Sequence, residues 1–288
     1  MDAATAGDEP IRDGVRAPTV AVAVTAYNQA HFLKDALDSV FAQTVRPDRI
    51  LVIDVGSTDD PKAVADRYPV EFMRLGHVGV SVARNTAAEA LDTDLVQFLD
   101  ADDRLLPRAL AAGMEAFART PGCAFACGGH RQVDVDLKPI TVDLHPADPL
   151  DYKDFLSRNT VGMHGVTLYH RQILLDAGGF EPGLRAGEDY DLFLRLSRVH
   201  PTASYPEVIG DYRKHGLNTS NRAWLMLTRV LTVHGRQRRY AAADPALMQA
   251  WRAGRKFWAS YYLLQLARLW RDQCLGRPRA ASLSRGVL

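Results

Sequence analysis

Three carboxylates close an apolar run in this chain: Asp100, Asp102 and Asp103 follow Leu95-Val96-Gln97-Phe98-Leu99, with Ala101 between the first two. A buried strand that ends this way concentrates negative charge at one edge of a sheet, where the groups repel one another and lose hydration. A bound Mg2+ or Mn2+ relieves both, because hard divalent cations take carboxylate oxygens and share them with substrate phosphates. The other reading of such a step is an acidic turn that caps the next helix. A second acidic cluster, Gly187-Glu188-Asp189-Tyr190-Asp191, opens a strongly amphipathic segment. Asp189 there reads either as a helix cap or as a base for proton removal, kept ionised by the helix N-terminus.

Elements of alternating type must position these groups. Residues 20–25 form a β-branched apolar run that predicts a buried strand, and residues 31–43 carry Phe32, Leu33, Leu37, Val40 and Phe41 at helical spacing. A second strand is expected over residues 49–54, closed by Gly56-Ser57-Thr58-Asp59-Asp60-Pro61, a turn with Pro61 at a first helical position. A third strand near residues 70–74 leads through Gly76 and Gly79 into a helix over 82–91, and the fourth strand ends at Asp100. Strands alternating with helices indicate βαβ units and a parallel sheet, whose strand carboxyl ends are the place for a ligand. Beyond Pro107 the pattern is mixed: a helix (109–119), two or three strands within 123–142, and a loop at 146–149. A strand (166–169), the turn Gly178-Gly179-Phe180, a helix (189–199) and an extended segment (203–213) follow. From Asn221 onward the pattern is helical, with Phe257, Trp258, Tyr261, Tyr262, Leu266, Leu269 and Trp270 predicted on one face. Neither G-x-G-x-x-G nor G-x-x-x-x-G-K-[ST] follows the first strand, so a metal on the acidic turn is the expected phosphate anchor. Thr25, Tyr27 and Asp54, in the loops after the first strands, would then hold a base and ribose.

Composition sets the outer bounds. The 288 residues are 47% apolar and 24% charged, as in ordinary soluble globular proteins. The net charge of +1 hides an asymmetry: residues 213–288 hold fifteen Lys/Arg against two Asp/Glu, so the tail is +13 and the remainder −12. Such a tail packs on the body or meets an anionic membrane surface; dispersed basic residues without a recognition motif argue against nucleic acid. Three cysteines, with Cys123 and Cys127 roughly 13 Å apart along a strand, do not form a disulfide scaffold. The first sixteen residues lack the apolar core of a signal peptide, and no apolar run reaches the ~18–20 residues of a bilayer span. The expected location is cytoplasmic, with a peripheral position on the inner face of the membrane if the tail binds lipid.

Taken in order, Val22-Ala23-Val24-Thr25-Ala26-Tyr27-Asn28, Val52-Ile53-Asp54-Val55-Gly56-Ser57-Thr58-Asp59, Ala83-Arg84-Asn85 and Phe98-Leu99-Asp100-Ala101-Asp102-Asp103 make one series. Gly178-Gly179-Phe180, Glu188-Asp189-Tyr190-Asp191-Leu192 and Tyr212-Arg213-Lys214-His215 with Asn218 and Ser220 continue it. Over about residues 17 to 221 the series resembles the family 2 glycosyltransferases. The resemblance implies a GT-A fold: an open, mixed, mostly parallel sheet flanked by helices, here with a helical C-terminal extension. The domains would be a disordered tail (1–16), the GT-A domain (17–220) and a basic, aromatic-rich extension (221–288).

The same resemblance implies roles. Thr25 and Tyr27 would contact the nucleotide base, Asp54 would cradle the nucleoside, and Arg84 would face the base or diphosphate. Asp100 and Asp102 match the D-x-D pair for ribose and metal, with Asp103 and His215 completing the metal site and Asp189 as catalytic base. The implied reaction is metal-dependent, inverting transfer of a sugar from a nucleotide-diphosphate sugar to a hydroxyl acceptor. The acceptor would be a cell-surface glycan, a glycolipid (a lipid-linked saccharide) or a small molecule. One residue departs from the pattern: Val55 stands where the family has a base-reading aspartate, and valine accepts no hydrogen bond. That residue favours the alternative of a non-catalytic nucleotide-sugar-binding or scaffold protein of the same fold; the intact carboxylates favour the enzyme.

Overall fold

The computed structural model describes residues 16–141, 145–146, 150–216 and 218–275, so the N-terminal tail (all but Arg16), most of the loop at 146–149 and the end of the extension lie outside the described residues. The first half alternates as expected: β1 (Val20–Ala26), α1 (Ala30–Phe41), β2 (Arg49–Asp54), α2 (Pro61–Ala65), β3 (Glu71–Arg74), α3 (Val80–Ala90) and β4 (Leu95–Asp100). Then come β5 (Arg104–Leu105), α4 (Ala109–Arg119), β6 (Phe125–Val133), α5 (Tyr152–Ser157), β7 (Thr167–His170), α6 (Arg171–Asp176), α7 (Glu188–Ser197) and β8 (Thr202–Arg213). The chain ends in α8 (Ala223–Arg236), α9 (Arg238–Ala241) and α10 (Pro245–Cys274).

Among the described residues, eight strands join one sheet in the order β3-β2-β1-β4-β7-β6-β8-β5. The pairs β1–β2, β1–β4, β2–β3 and β6–β8 are parallel, while β7 runs antiparallel to β4 and β6, and β5 antiparallel to β8. The sheet is therefore mixed and mostly parallel, flanked by helices. Every residue of β1 is buried, as a central parallel strand covered on both faces must be. Register then fixes the ligand edge: Thr25 lies opposite Asp100, and Ala26 opposite Asp54. Three of the predicted site residues thus end adjacent strands side by side.

Some elements differ from the sequence reading. Among the described residues from 123 to 141 there is one nine-residue strand, β6, plus an isolated bridge from Val133 to Pro139, where two or three strands were expected. The strand β5 has two residues, too few to carry a period, and exists because Arg104 and Leu105 pair with Asp211 and Gly210. The helices α5 and α6, six residues each, are likewise below the length at which periodicity shows. Both Cys123 and Cys127 are buried and free.

The extension is not the uniform aromatic face predicted. Trp258 and Tyr262 are buried, and Trp258 Nε1 donates to Tyr190 Oη (3.3 Å), which in turn donates to the Phe155 carbonyl (2.6 Å). Gly254 lies so close to the Leu156 carbonyl that a Cβ there would collide with it. The first half of α10 is therefore packed on α5 and α8, with Trp258 reaching Tyr190 of α7, and cutting a side chain such as Trp258 to alanine would cost about 3 kcal/mol or more. Trp270, by contrast, is 70% exposed, because it stands on the outward side of the helix while Leu266 and Leu269 pack against the core and Asp272 is buried. No described helix is long and apolar enough to cross a membrane.

Candidate active site

The last residue of β4 is held from two sides. Thr25 Oγ1 donates to Asp100 Oδ1 (2.7 Å), and Arg84 Nη2 donates to the same oxygen (2.8 Å). Burial alone would raise the Asp100 carboxyl, but Arg84 and the Thr25 hydroxyl hold it below the usual range. Arg84 is buried on the inner face of α3, and its other arm, Nη1, donates to Glu188 Oε1 (3.0 Å) in the first turn of α7. Its burial disfavours the charge, yet Asp100 and Glu188 outweigh that and keep the guanidinium protonated. One arginine thus ties the end of β4 to the segment that carries Asp189.

Asn85, the next residue, clamps the approach to that segment. Its side chain accepts from the Phe180 backbone N–H and donates to the Phe180 carbonyl, each at 2.8 Å. Gly179 sits against Asn85 with φ +64, in the left-handed region, and a Cβ there would strike the amide. Phe180 lies beneath the Arg84 guanidinium, 5.5 Å from it. The motifs Ala83-Arg84-Asn85 and Gly178-Gly179-Phe180 therefore form one physical unit. Gly179→Ala is expected to lower stability by about 2 kcal/mol through the left-handed backbone and the lost clamp. Urea denaturation checks this; an unchanged midpoint would show that the clamp does not hold the loop.

The acidic turn is organised by the end of β8. The Arg213 backbone N–H donates to Asp103 Oδ1 (2.9 Å) and its Nε to the Asp102 carbonyl (2.8 Å). The same guanidinium reaches the Val135 carbonyl and Asp35, and lies 4.4 Å over the Phe32 ring. Two residues on, His215 Nε2 meets Asp102 Oδ2 at 2.7 Å. Asn218 shapes this loop by accepting from the His215 N–H and donating to the Arg213 carbonyl. One oxygen from each of Asp100, Asp102 and Asp103 lies within a 4.8 Å cluster. Burial, then the charges of Asp102 and Asp100, push the Asp103 carboxyl well above its ordinary value. Hard oxygen donors crowded at the cost of mutual repulsion fit a divalent cation; the group the fold brings together is Asp100, Asp102 and Asp103, and His215 joins it through its contact with Asp102.

The loops after β1 and β2 are laced by short bonds. Asp54 is fully buried; Oδ1 accepts from the Ser57 N–H (2.8 Å), and Oδ2 lies 3.2 Å from Arg74 Nη1 without hydrogen-bond alignment. Asn28, at φ 53, receives the Thr58 N–H on its side chain and donates its own N–H to Ser57 Oγ. Between these loops Tyr27 stands 49% exposed, edge-on to His77 at 5.3 Å. Val55 is buried in the apolar core. The side chain at this position thus lacks an acceptor and also packs away from solvent.

Asp189 is the second residue of α7. The cap is Gly187, at φ 74, and it makes no side-chain bond, so the capping reading of Asp189 does not hold. Asp189 Oδ1 accepts from the Tyr190 N–H (2.7 Å), and the residue keeps part of its surface exposed. Burial, then the adjacent Glu188 charge, push its carboxyl up to about 7. The helix N-terminus was expected to keep it ionised; desolvation outweighs that dipole here. Asp191 in the same turn pairs with Arg195 (2.8 Å) and Arg236 (3.3 Å), which fastens α7 to α8. Glu188 and Arg213 had no role in the sequence reading, although both stand inside its motifs. Their partners come from α3 and from the turn after β4, which spacing along the chain does not reveal.

Comparison with known proteins agrees with this geometry. Residues 21–176 match the family described as glycosyl transferase family 2. Over 215 residues the chain is 27% identical to TuaG of Bacillus subtilis, a glycosyltransferase named for teichuronic acid biosynthesis; the match covers 72% of this chain and 83% of TuaG. Among solved structures, the mannosyltransferase PcManGT of Pyrobaculum calidifontis, in complex with GDP-Man and Mn2+, superposes with a TM-score of 0.63 at 19% identity. That match covers 94% of this chain and 76% of PcManGT. TarS of S. aureus in complex with UDP-GlcNAc superposes at 0.61 and 14% identity, over 76% of this chain and 66% of TarS. At these identities the superpositions show the shared GT-A-like fold. The chain belongs to glycosyl transferase family 2 and is a glycosyltransferase.

Proposed function

We propose that this glycosyltransferase is metal-dependent and inverting, and moves a sugar from a nucleotide-diphosphate sugar to a hydroxyl of a cell-surface polysaccharide or its lipid-linked precursor. The observation that carries the reading is the bridge through Arg84, which joins the acidic turn to the helix turn holding a carboxylate that titrates near about 7. Thr25, Tyr27 and Asp54 bind the nucleoside, and Asp100 the ribose. Asp102, Asp103 and His215 would hold Mg2+ or Mn2+, which when bound neutralises charge on the departing diphosphate. Asp189 takes the proton of the acceptor hydroxyl as the acceptor oxygen bonds to the anomeric carbon. The bond from that carbon to the diphosphate breaks on the opposite face, and the electron pair leaves with the nucleoside diphosphate.

TuaG supports the polysaccharide acceptor, and PcManGT supports Mn2+. The two structural neighbours hold different bases, and buried Val55 removes one base-reading carboxylate. With Val55 in that place, either Asp54 or a backbone carbonyl takes over the contact, or the donor carries another base; Asp54 itself is fully buried beside Arg74. The C-terminal helices make the contact with an anionic membrane surface, where a lipid-linked acceptor would be found. Incubation with a nucleotide-sugar panel and Mn2+ is expected to release nucleoside diphosphate and yield a product of inverted anomeric configuration by NMR. Retention would overturn the mechanism. Pyrophosphate release would indicate nucleotidyl transfer, and donor binding without turnover would indicate a scaffold.

A further inference from the structure

The outward face of α10 carries an order that its inward packing does not require. At helical spacing it presents Arg252, Lys256, Ser260, Leu263, Leu264, Ala267, Trp270, Arg271 and Cys274, all exposed. Leu263 is 56% exposed, Leu264 59%, Trp270 70%, and Leu275 just beyond the helix 58%. A solvated helix face puts polar residues outward, yet the middle of this one is apolar while basic residues stand at both ends. Residues 276–288 then add Arg277, Arg279 and Arg285 and no acidic residue.

We infer that the stripe of Leu263, Leu264, Ala267 and Trp270 is the part of the protein that enters an anionic lipid surface, with α10 lying in the plane of that surface. The stripe gives the membrane contact proposed above its surface, and so rests on that reading. Apart from Trp270 it is a different face from the one sequence spacing suggested, since Trp258 and Tyr262 are buried on the inward side. Exposed leucines with a tryptophan suit the boundary between headgroups and acyl chains, where an indole has both an apolar body and a polar edge. Arg252 and Lys256 would meet phosphate headgroups, and so would Arg271, which also contacts Asp272 at 3.3 Å. A second copy of the chain fits less well: a twofold contact along this face would bring those cations against their own symmetry mates.

The test is co-sedimentation with vesicles of phosphatidylglycerol mixed with phosphatidylcholine, and with phosphatidylcholine alone, at low and high salt. The full-length protein should bind the anionic vesicles, and salt should weaken the binding. Leu263→Ser, Leu264→Ser and Trp270→Ser combined should weaken it by about tenfold or more, with nucleotide binding unchanged, because these side chains leave the fold's own packing untouched. Full-length protein that ignores anionic vesicles at low salt would overturn both the surface and the membrane reading. Binding that the triple variant retains would overturn the surface alone and leave the contact to arginines elsewhere in the extension. A dimer in ultracentrifugation that Trp270→Ser disperses, without vesicle binding, would assign the stripe to a second copy and overturn the lipid surface.

Discussion

Asp189→Asn is expected to bind the nucleotide-sugar donor as the parent does and to turn over about a thousandfold more slowly, the loss typical of a missing general base. The amide can still accept the Tyr190 N–H, so the helix turn keeps its geometry, but it cannot take a proton. In the parent protein the rate should climb with pH and level off above about 7, because the base works only when ionised and its carboxyl is pushed up to about 7. A linked stability effect separates this role from a structural one. The folded-state pKa lies above the unfolded value, so the protonated native form is favoured, and stability is lost as pH rises from about 4 to about 7. The asparagine variant never carries the buried charge, and should be more stable than the parent above pH ~7, on the order of 1–2 kcal/mol once solvent at the exposed edge is allowed for. Thermal melts at high and low pH measure it. A variant that turns over normally, or one that is less stable at high pH, would remove Asp189 from the mechanism.

Asp102→Asn should abolish the Mn2+-dependent part of donor binding. A neutral amide is a poor ligand for a hard cation, and the oxygen that meets His215 loses its charge at the same time. Calorimetry with and without Mn2+ should show affinity for the nucleotide falling by about a hundredfold in the presence of metal and little in its absence. The variant should remain folded, since one repelling carboxylate has been removed from a cluster that lies within 4.8 Å. Donor binding that still responds to Mn2+, with turnover intact, would show that the acidic turn is not the metal site.

How much of this was readable along the chain depends on the range of the interaction. Asp100, Asp102 and Asp103 could be placed at a strand end because the apolar run before them is continuous, and continuity predicts a buried parallel strand. The helix over residues 109–119 appears with the expected bounds because its apolar spacing repeats over about three turns, and the strand over residues 49–54 because Ile50-Leu51-Val52-Ile53 is an unbroken apolar run. The strand β5 could not be read, since two residues carry no period and the pairing depends on β8, more than a hundred residues later. The same distance hid Glu188 and Arg213. A side chain's partner across the sheet leaves no mark in local spacing.

By itself the sequence determined the α/β class, the family, the acidic turn and the candidate base, because these rest on local runs and on motifs in fixed order. It also determined that the extension is basic and helical. Which face of that extension turns inward was decided by tertiary structure alone. A 3.6-residue period defines a face, but packing on α5 and α8 chose Trp258 and Tyr262 for burial and left Leu263, Leu264 and Trp270 outside. Tertiary structure likewise decided the state of Asp189. Chain position offered a helix N-terminus that favours charge, while packing removed water and set Glu188 beside it, and desolvation outweighs a helix dipole.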